Sequence, residues 1–462
     1  MEKPKRPKAK NYKKIWKLSQ KELNTEYFSI NKDGELVIHE GNYQYNIYDL
    51  ARKFNGSSLE IFMPYVIEDR LENIFKVAKS YIKKFGYKSK FSYHFPIKVN
   101  QRKEFMLPLL SEGAHLETAS ANQLWLVKKL YMSENFNSRI RVVCNGPKTL
   151  EYINLIKELR EKGLGIVPII ESEEERKLFK GFPGDTGVRI NLKTRVKSHW
   201  DKKIDQFGMT LDEISDMGRI RGLKILHYHL GSQTKFENDH INGLREAFDA
   251  YVKIRKQNPG LDTINIGGGF AVPYEKKRLY SFESLLSRIF KNLKTWADKV
   301  GVPHPNVIVE WGQAVTAPAQ LNVYKIVLSK KISKGIAKYW YFINGSFQND
   351  LLDIWAVHQK FHVIPVNHMN AIYRNRVWLA GLSCDSDDRY TGNDYFLLPR
   401  LEDLEKGEEL YIAILDTGAY QDSFSGHHCF ISPPTKVILQ NGIVTVARKR
   451  EGPEDVGKYF GW

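Results

Sequence analysis

The alternation of apolar β-runs with amphipathic helical runs between residues 91 and 316 is the feature of this sequence that most restricts its fold. Eight β-runs occur there, namely FSYHFPIKV, HLETA, RIRVVCNG, GIVPIIES, TGVRINL, LKILHYHL, TINIGGG and NVIVEWG. Eight βα units over about 230 residues match a parallel (β/α)8 barrel, and a doubly wound sheet is the alternative. We favour the barrel because eight units close on themselves.

Short strands separated by turns take over where the alternation stops. We therefore predict a (β/α)8 barrel over residues 61–316 and a C-terminal antiparallel β-domain over residues 317–462. Strands within residues 21–60 have no partner in a closed barrel, and we expect them to complete the β-domain. The pattern from Leu59 to Phe85 predicts a helix. The basic residues of 1–20 predict a flexible tail.

The composition indicates a globular protein, because 42% of the 462 residues are hydrophobic. No apolar run approaches the roughly 20 residues of a membrane span, and the basic N-terminus lacks the apolar centre of a secretion signal. Cys144, Cys384 and Cys429 are too few and too scattered for a disulfide framework or a zinc cluster. These features predict a cytoplasmic protein without a membrane partner.

The formal net charge of +17 suggests comparison with nucleic-acid-binding proteins. The lysines, however, are spread along helical faces such as KSYIKKFGYKSK. No RNA-binding aromatic signature and no zinc-finger spacing accompanies them. We therefore predict that nucleic acid is not a main partner and that the charge draws anionic ligands towards a cleft.

Residues suited to binding and catalysis stand at the ends of the predicted barrel strands, where such barrels collect their functional groups. They are Lys98, Glu117, Arg189, His229, Ser232, Gly267, Gly268, Gly269 and Glu310. Lys98 ends an apolar run, and since burial lowers a lysine pKa it is the candidate reactive amine, with a solvated charge as the alternative. The three glycines let backbone N–H groups surround a phosphate without Cβ obstruction, unless they serve only a turn or close packing.

Metal binding has little support in the sequence. His227 and His229 share a face of one strand, but no third ligand follows at matching spacing. The segment CDSDDRY at 384–390 resembles a calcium loop only in composition, because Gly392 comes too late for the sharp turn and no closing glutamate follows. We predict no metal site. The segment forms either a solvated loop with a buried thiol at Cys384 or a site for a cationic substrate.

Nine segments between residues 90 and 430 resemble, in order, the pyridoxal-phosphate decarboxylases with an alanine-racemase-like barrel. They are FPIKVNQ, HLETAS, CNGPKTLEYI, HYHLGSQ, INIGGGF, VEWGQAVTA, FINGSFQNDLLDIW, LSCDSDD and DTGAYQ. CNGPK, HLGSQ and CDSD are most similar to the biosynthetic arginine decarboxylases, rather than to the ornithine and diaminopimelate branches.

This resemblance implies pyridoxal 5'-phosphate as the cofactor. It implies that Lys98 binds the cofactor covalently, that His229 stacks on its ring, and that Glu310 keeps the pyridine nitrogen protonated so that the ring accepts electrons. The phosphate would be bound by Ser232, Gly267, Gly268, Gly269 and Tyr420. Support on the lysine side of the pocket would come from Glu117 and Arg189.

The resemblance also assigns roles to the β-domain. Cys384 would donate a proton, and Asp385, with Asp387 or Asp388, would bind the distal cation of the substrate. In the family these residues reach into the partner subunit's site, which implies a homodimer with shared active sites. The decarboxylation of L-arginine to agmatine and carbon dioxide, in putrescine and spermidine synthesis, is the implied activity.

Two features depart from the family pattern. Gln313 stands where the family motif ESGR or EPGR has an arginine near the phosphate. The long helical insertion after the barrel and the helical C-terminal extension of bacterial arginine decarboxylases have no counterpart here, which argues against the higher oligomers built on them.

Other functions remain as alternatives. Ornithine, lysine, diaminopimelate or another amine-bearing amino acid could replace arginine, and Gln313 keeps this alternative open. A racemase on this fold would need a tyrosine-type base at the position where the chain has Cys384, which argues against racemase activity. A non-catalytic pyridoxal-phosphate-binding protein would be a bare barrel, and a nucleic-acid-binding protein would bind in a salt-sensitive way.

Overall fold

The computed structural model describes residues 11–54, 56–133, 140–196, 205–274 and 277–462, so the first half of the predicted tail lies outside it. The chain forms two compact units. The β-unit contains the described residues of Met1–Val66, Pro273–Lys277 and Thr316–Trp462, and the barrel unit contains those of Ile67–Val272 and Arg278–Val315. Within the described ranges, no helix combines the length and the apolar character needed to cross a bilayer.

The N-terminal part of the β-unit forms a small sheet of its own. Its elements are α1 (Tyr12–Ile15), β1 (Phe28–Ile30), β2 (Leu36–Glu40), β3 (Tyr43–Asn46), α2 (Ile47–Lys53) and β4 (Leu59–Phe62). Strand β2 pairs antiparallel with β1 on one side and β3 on the other, whereas β4 joins the larger sheet of the unit. The prediction that the N-terminal strands complete the β-domain is confirmed: β4 lies in the large sheet, and β1 to β3 form a second sheet of the same unit.

Two other N-terminal predictions need correction. Leu59–Phe62 is a strand rather than the start of a helix, because its four side chains are all buried in the β-unit, and the helix begins at Pro64. Trp16 and Leu18 are buried, and the indole N–H of Trp16 donates to the carbonyl of Met369 over 2.8 Å. Residues 16–18 thus pack into the β-unit instead of forming a flexible tail.

The barrel unit consists of eight βα repeats. Its strands are β5 (Phe91–Pro96), β6 (His115–Thr118), β7 (Arg141–Cys144), β8 (Gly165–Ile170), β9 (Thr186–Arg189), β10 (Leu223–His227), β11 (Thr263–Asn265) and β12 (Asn306–Val309). All neighbouring strands are parallel, and β12 pairs with β5 to close the ring. The predicted (β/α)8 barrel is confirmed, and the doubly wound alternative is excluded.

The helices of this part of the chain follow the predicted amphipathic runs. They are α3 (Pro64–Phe85), α4 (Lys103–Ser111), α5 (Ala121–Tyr131), α6 (Leu150–Glu161), α7 (Glu173–Leu178), α8 (Leu211–Asp216), α9 (Glu237–Gln257), α10 (Phe282–Val300) and α11 (Gly312–Thr316). In α10 the buried side chains recur every three to four residues, as one face of a helix requires. Ser281 caps its N-terminus by accepting the N–H of Ser284, and Gly301, with φ of 70°, ends it.

The core of the barrel unit contains a cluster of β-branched residues from four of its strands. They are Val143, Val167, Ile169, Ile225 and Ile308. Branched side chains lose little rotamer freedom in a strand and pack closely on a pleated surface, so they favour strand over helix in these short apolar runs. Burying each contributes about 1.5–3 kcal/mol, which makes the closed barrel a rigid support for the strand ends.

The C-terminal part of the β-unit is built on a ten-stranded sheet. Its elements are β13 (Gln320–Lys331), β14 (Tyr339–Ile343), α12 (Phe347–Asp350), α13 (Asp353–Ala356), β15 (Val363–Pro365), β16 (Arg374–Ala380), β17 (Arg389–Tyr390), β18 (Phe396–Pro399), β19 (Tyr411–Ile414), α14 (Gln421–Phe424), β20 (Thr435–Gln440), β21 (Ile443–Arg448) and α15 (Pro453–Lys458). Short 3₁₀ segments occur at Lys21–Leu23, Ile97–Val99, Ala317–Ala319, Leu401–Asp403 and His428–Phe430.

The sheet is mixed rather than antiparallel. Strand β14 runs parallel to β16, and β4 runs parallel to β20, while β13 pairs antiparallel with its neighbours β4, β14 and β19. Parallel pairs need long connections, and the segment with α12, α13 and β15 provides one between β14 and β16. The prediction of an antiparallel domain is corrected accordingly.

Candidate active site

The carboxyl ends of the barrel strands carry the predicted residues of the barrel unit. Lys98 follows β5, Glu117 lies in β6, Arg189 ends β9, His229 and Ser232 follow β10, Gly267 to Gly269 follow β11, and Glu310 follows β12. Because all eight strands are parallel, these ends meet at one rim of the barrel. The fold therefore brings this predicted set to one face.

Glu310 is a buried acid with two amide donors. Its Oε1 accepts hydrogen bonds from the side-chain amides of Asn265 at 2.7 Å and Asn145 at 3.3 Å, and its Oε2 lies 3.7 Å from Nε2 of His227. Burial opposes ionisation, but His227, Asn265 and the charge of Lys98 outweigh it and hold the pKa of Glu310 well below its usual range. Glu310 is therefore ionised at neutral pH and can pair with a protonated nitrogen.

Asn145 and Asn265 are residues of this rim that sequence reasoning missed. Asn265 is the last residue of β11, and Asn145 comes directly after β7. Both are buried. The signal that singled out the other residues, a polar side chain at a strand end, applies to both asparagines. His227, considered in the sequence only as half of a metal pair, faces Glu310 instead.

Glu117 is fully buried, and its neighbour Asn145 stabilises the ionised carboxylate through a hydrogen bond. Burial raises the pKa of Glu117 to about 7, with Lys98 lowering it and Glu310 adding to the rise. A carboxyl group with this pKa exchanges a proton near neutral pH.

The side chain of Lys98 is exposed, so the predicted burial of this amine is wrong. The reason is local. Lys98 is the middle residue of the 3₁₀ segment Ile97–Val99, and the two residues beside it are almost completely buried. The side chains of Ile97 and Val99 pack into the core, and the side chain of Lys98 points away from it and stays accessible. The positive charge of Lys98 still lowers the pKa of Glu117 and of Glu310.

The glycine segment after β11 has no room for side chains. A Cβ on Gly267 would lie 2.5 Å from the carbonyl oxygen of Tyr228, and one on Gly269 would lie 2.5 Å from that of Gly231. Gly267 and Gly269 also have φ of 64° and 103°, a left-handed region that side chains disfavour. Tight packing against the loop after β10 thus requires glycine at these two positions.

Two of the three glycine N–H groups already have partners. The N–H of Gly267 donates to Oδ1 of Asn265 over 3.0 Å, and that of Gly268 donates to Nδ1 of His229 over 3.1 Å. The expectation of three N–H groups directed at an anion is therefore wrong for these two. The glycines provide space and hold the imidazole of His229, while Ser232 lies half-buried in the same loop region.

Arg189 is engaged by neighbours at the rim. Its guanidinium lies 3.3 Å from Oε1 of Glu171 and 4.6 Å from the ring centre of Phe207. Glu171 in turn accepts the backbone N–H groups of Gly146 and Gly208 at 2.8 and 3.2 Å. This nearly buried pair fixes the loops after β7 and β9 at the rim, and the role of Arg189 towards a cofactor remains a prediction.

In the β-unit, the predicted acidic cluster lies on the loop after β16. Cys384, Asp385 and Asp387 are exposed, so Cys384 is not the buried thiol of the alternative interpretation. Asp388 is buried and accepts the backbone N–H groups of Phe347 at 2.7 Å and Ser383 at 3.0 Å. Both carboxylate oxygens of Asp388 stabilise the loop from its buried side. The prediction that Asp388 binds the substrate cation is therefore wrong.

Tyr420 directly precedes α14 in the β-unit, with φ of 68°, and is half-buried. Its ring stacks on that of Phe424, with centroids 6.1 Å apart. Gln313 lies in α11 and is also half-buried. The phosphate contact of Tyr420 and the effect of Gln313 remain predictions. No group of three metal-binding side chains occurs in the described ranges.

Comparison with known proteins places these observations in a family. The family model described as "Pyridoxal-dependent decarboxylase, pyridoxal binding domain" matches residues 71–317, more than half of the chain. The biosynthetic arginine decarboxylase of Bacteroides thetaiotaomicron is 24% identical, over 87% of this chain and 84% of its own length. Arginine decarboxylase 2 of Oryza sativa subsp. japonica is 26% identical, over 82% and 76%.

Solved structures show the same fold. The biosynthetic arginine decarboxylase of Campylobacter jejuni has a TM-score of 0.79 at 20% identity and covers 96% of this chain and 90% of its own. The diaminopimelate decarboxylase of M. jannaschii has a TM-score of 0.76 at 22% identity, over 94% and 97%. With the match to the family model, the barrel and its strand-end residues lead to one conclusion: this chain belongs to the pyridoxal-dependent decarboxylases.

Proposed function

We propose that this protein decarboxylates L-arginine to agmatine and carbon dioxide, as a step in putrescine and spermidine synthesis. The observation that carries the proposal is the exposed pair Asp385 and Asp387 beside the exposed thiol Cys384 in a chain of this family. Its similarity to proteins named arginine decarboxylase supports the same substrate.

The barrel rim fits the cofactor of the family. Lys98 offers an accessible amine, Glu310 an ionised acid for a ring nitrogen, and His229 an imidazole held by Gly268. Ser232, Gly269 and Tyr420 would hold the phosphate, and the missing side chains of Gly267 and Gly268 would leave room for it. When bound, pyridoxal phosphate supplies a sink for the electrons of the bond that breaks.

Ionised Glu310 would keep the pyridine nitrogen of the bound cofactor protonated, which is what such a sink requires. Burial of the acid strengthens this contact, because the local dielectric is low and water does not compete. Glu117, with a pKa of about 7, can accept or return a proton on the lysine side of the rim.

Cys384 would return a proton to the substrate carbon after carbon dioxide has left. Its thiol is exposed, and the adjacent thiol of Cys429 raises the pKa of Cys384 above its ordinary value. The thiol is therefore protonated at neutral pH, as a proton donor must be.

Asp385 would bind the guanidinium of arginine. The backbone N–H of Asp387 and the side chain of Gln348 lower the pKa of Asp385, so it is ionised at neutral pH. A planar guanidinium pairs with carboxylates through two parallel hydrogen bonds, which a simple ammonium cannot form.

We further propose a cytoplasmic homodimer with shared active sites. Three free cysteines are consistent with a reducing compartment. The resemblance to dimeric decarboxylases supports the shared site, since Lys98 belongs to the barrel unit and Cys384 to the β-unit.

The substrate is tested by measuring carbon dioxide release from arginine, ornithine, lysine and diaminopimelate with cofactor-loaded protein. We expect the highest kcat/KM with arginine. Faster release from ornithine or lysine would contradict the proposal and favour the alternative that Gln313 keeps open.

A further inference from the structure

Two of the three cysteines lie side by side on different loops of the β-unit. Sγ of Cys384 and Sγ of Cys429 are 3.7 Å apart, although 45 residues separate them in the chain. Both are exposed thiols, whereas Cys144 is buried. We propose that Cys384 and Cys429 form a reversible disulfide on exposure to a peroxide. While this bond exists, Cys384 has no S–H group and cannot donate a proton.

The proximity of the two thiols is built into the unit through helix α12. The N–H of Phe347 donates to Asp388, which anchors the Cys384 loop. Asn349 forms two hydrogen bonds with the backbone of His428, at 2.9 and 3.0 Å, which anchors the Cys429 loop. One helix of four residues therefore holds both cysteine loops in a fixed relation.

A further contact joins the loops next to the thiols. Nε2 of His428 lies 3.7 Å from Oδ2 of Asp385, so the residues adjacent to both cysteines also face each other. Cys429 has φ of 55°, a left-handed conformation that glycine or asparagine adopts more readily. The surrounding contacts keep a cysteine in this conformation and hold its thiol near Cys384.

The chemistry requires only the two thiols and the oxidant. One cysteine, as a thiolate, attacks hydrogen peroxide, so that an S–O bond forms, the O–O bond breaks and hydroxide leaves. The second thiol then attacks this sulfur, the S–S bond forms, the S–O bond breaks and water leaves. The two thiols together lose two electrons and two protons, and the peroxide is reduced to two waters. A dithiol reverses the change by exchange.

Bond formation needs a small movement. Bonded sulfurs are about 2.0 Å apart, so the thiols must approach by less than 2 Å, which side-chain rotation can provide at an exposed site. Cys144 offers an internal contrast, because its thiol is buried and peroxide has no access to it. Loss of activity on oxidation rests on the proposed role of Cys384, whereas the disulfide itself does not.

The test uses the full chain, reduced, freed of reductant and treated with hydrogen peroxide. We expect intact mass to fall by two hydrogens and a non-reducing peptide map to link the Cys384 and Cys429 peptides within one chain. Cys144→Ser should behave like the wild type. Cys429→Ser, and Cys429→Asn as a variant suited to the left-handed backbone, should form no link, and their Cys384 should instead be trapped by a sulfenic-acid reagent.

Activity provides the second readout. Oxidised wild type should lose carbon dioxide release and regain it with dithiothreitol, while oxidised Cys429→Ser should not regain it once Cys384 is overoxidised. Over-oxidation of the wild type without a link, or a link between two chains, would overturn the disulfide. A linked protein that stays fully active would overturn the loss of activity on oxidation and, separately, the role of Cys384 as proton donor.

Discussion

Asn265 donates its side-chain amide to Oε1 of Glu310 over 2.7 Å, inside the barrel unit. The same side chain accepts the N–H of Gly267 at 3.0 Å, so one buried amide joins the acid to the glycine segment. The positions of Glu310 and of the glycine segment, two predicted parts of the cofactor site, therefore both depend on Asn265, which was not predicted.

Replacement of Asn265 by alanine should weaken this connection. Removing the amide leaves the N–H of Gly267 without its buried acceptor and leaves Glu310 with Asn145 as its remaining amide donor, which costs about 1–3 kcal/mol of folding free energy. It should also raise the pKa of Glu310 and weaken cofactor binding. Urea denaturation of the cofactor-free protein and titration with pyridoxal phosphate measure the two effects. Unchanged values in both would contradict this account of Asn265.

Lys98 is expected to carry the cofactor. Purified protein should show the visible absorbance band of lysine-bound pyridoxal phosphate, and Lys98→Ala should lose it. Lys103→Ala removes another exposed lysine five residues away and serves as the control that keeps the band. A band that survives in Lys98→Ala would place the covalent link on another lysine.

The ionisation of Glu117 should make the cofactor-free protein less stable as pH rises. Its pKa rises from 4.5 in an unfolded chain to about 7 in the fold, so the cost of ionising it grows between these values and then levels off at about 3 kcal/mol. Glu117→Gln should therefore match the wild type at pH 4 and be more stable at pH 8. Denaturation curves at several pH values test this, with the exposed Glu151→Gln as the control. A gain that is independent of pH would rule out titration as the cause.

Asp385 should set the preference for arginine. Asp385→Asn removes the charge partner of the guanidinium, and we expect kcat/KM for arginine to fall roughly 10- to 100-fold, as for a lost charge-assisted hydrogen bond. The exposed carboxylate of Asp394 lies on a different loop, and Asp394→Asn should leave kcat/KM unchanged. An equal loss in both variants would indicate a general charge effect on the substrate.

Subunit mixing tests the shared site. Lys98→Ala and Cys384→Ala homodimers should each be impaired, whereas in a heterodimer one site carries both defects and the other neither. Random exchange makes half of the dimers heterodimers, so about a quarter of wild-type activity should return. Tagged subunits confirm that exchange occurs. If heterodimers form without a gain in activity, each site is built within one chain.

Much of the barrel unit follows from local sequence. A strand or helix is encoded in the spacing of apolar residues over a few turns, so the eight βα repeats and the strand-end positions of Lys98, Glu117 and Glu310 could be predicted. The predictions failed where the burial of a side chain depended on how its segment packs against the rest of the fold. Lys98 is exposed because its two neighbours pack into the core, and Asp388 is buried because Phe347 and Ser383 donate to it.

The sequence by itself thus determined the (β/α)8 architecture, the family and the chemical types present at the strand ends. Only the tertiary structure decided which of these groups interact: Asn265 with Glu310, and Cys384 with Cys429 across 45 residues. It also decided the pKa of Glu117, which depends on burial and on the charges around it. The physical reason is the distance along the chain over which each property is determined. The spacing of apolar residues is a property of neighbouring residues, whereas hydrogen bonds, desolvation and thiol contacts depend on segments that only folding brings together.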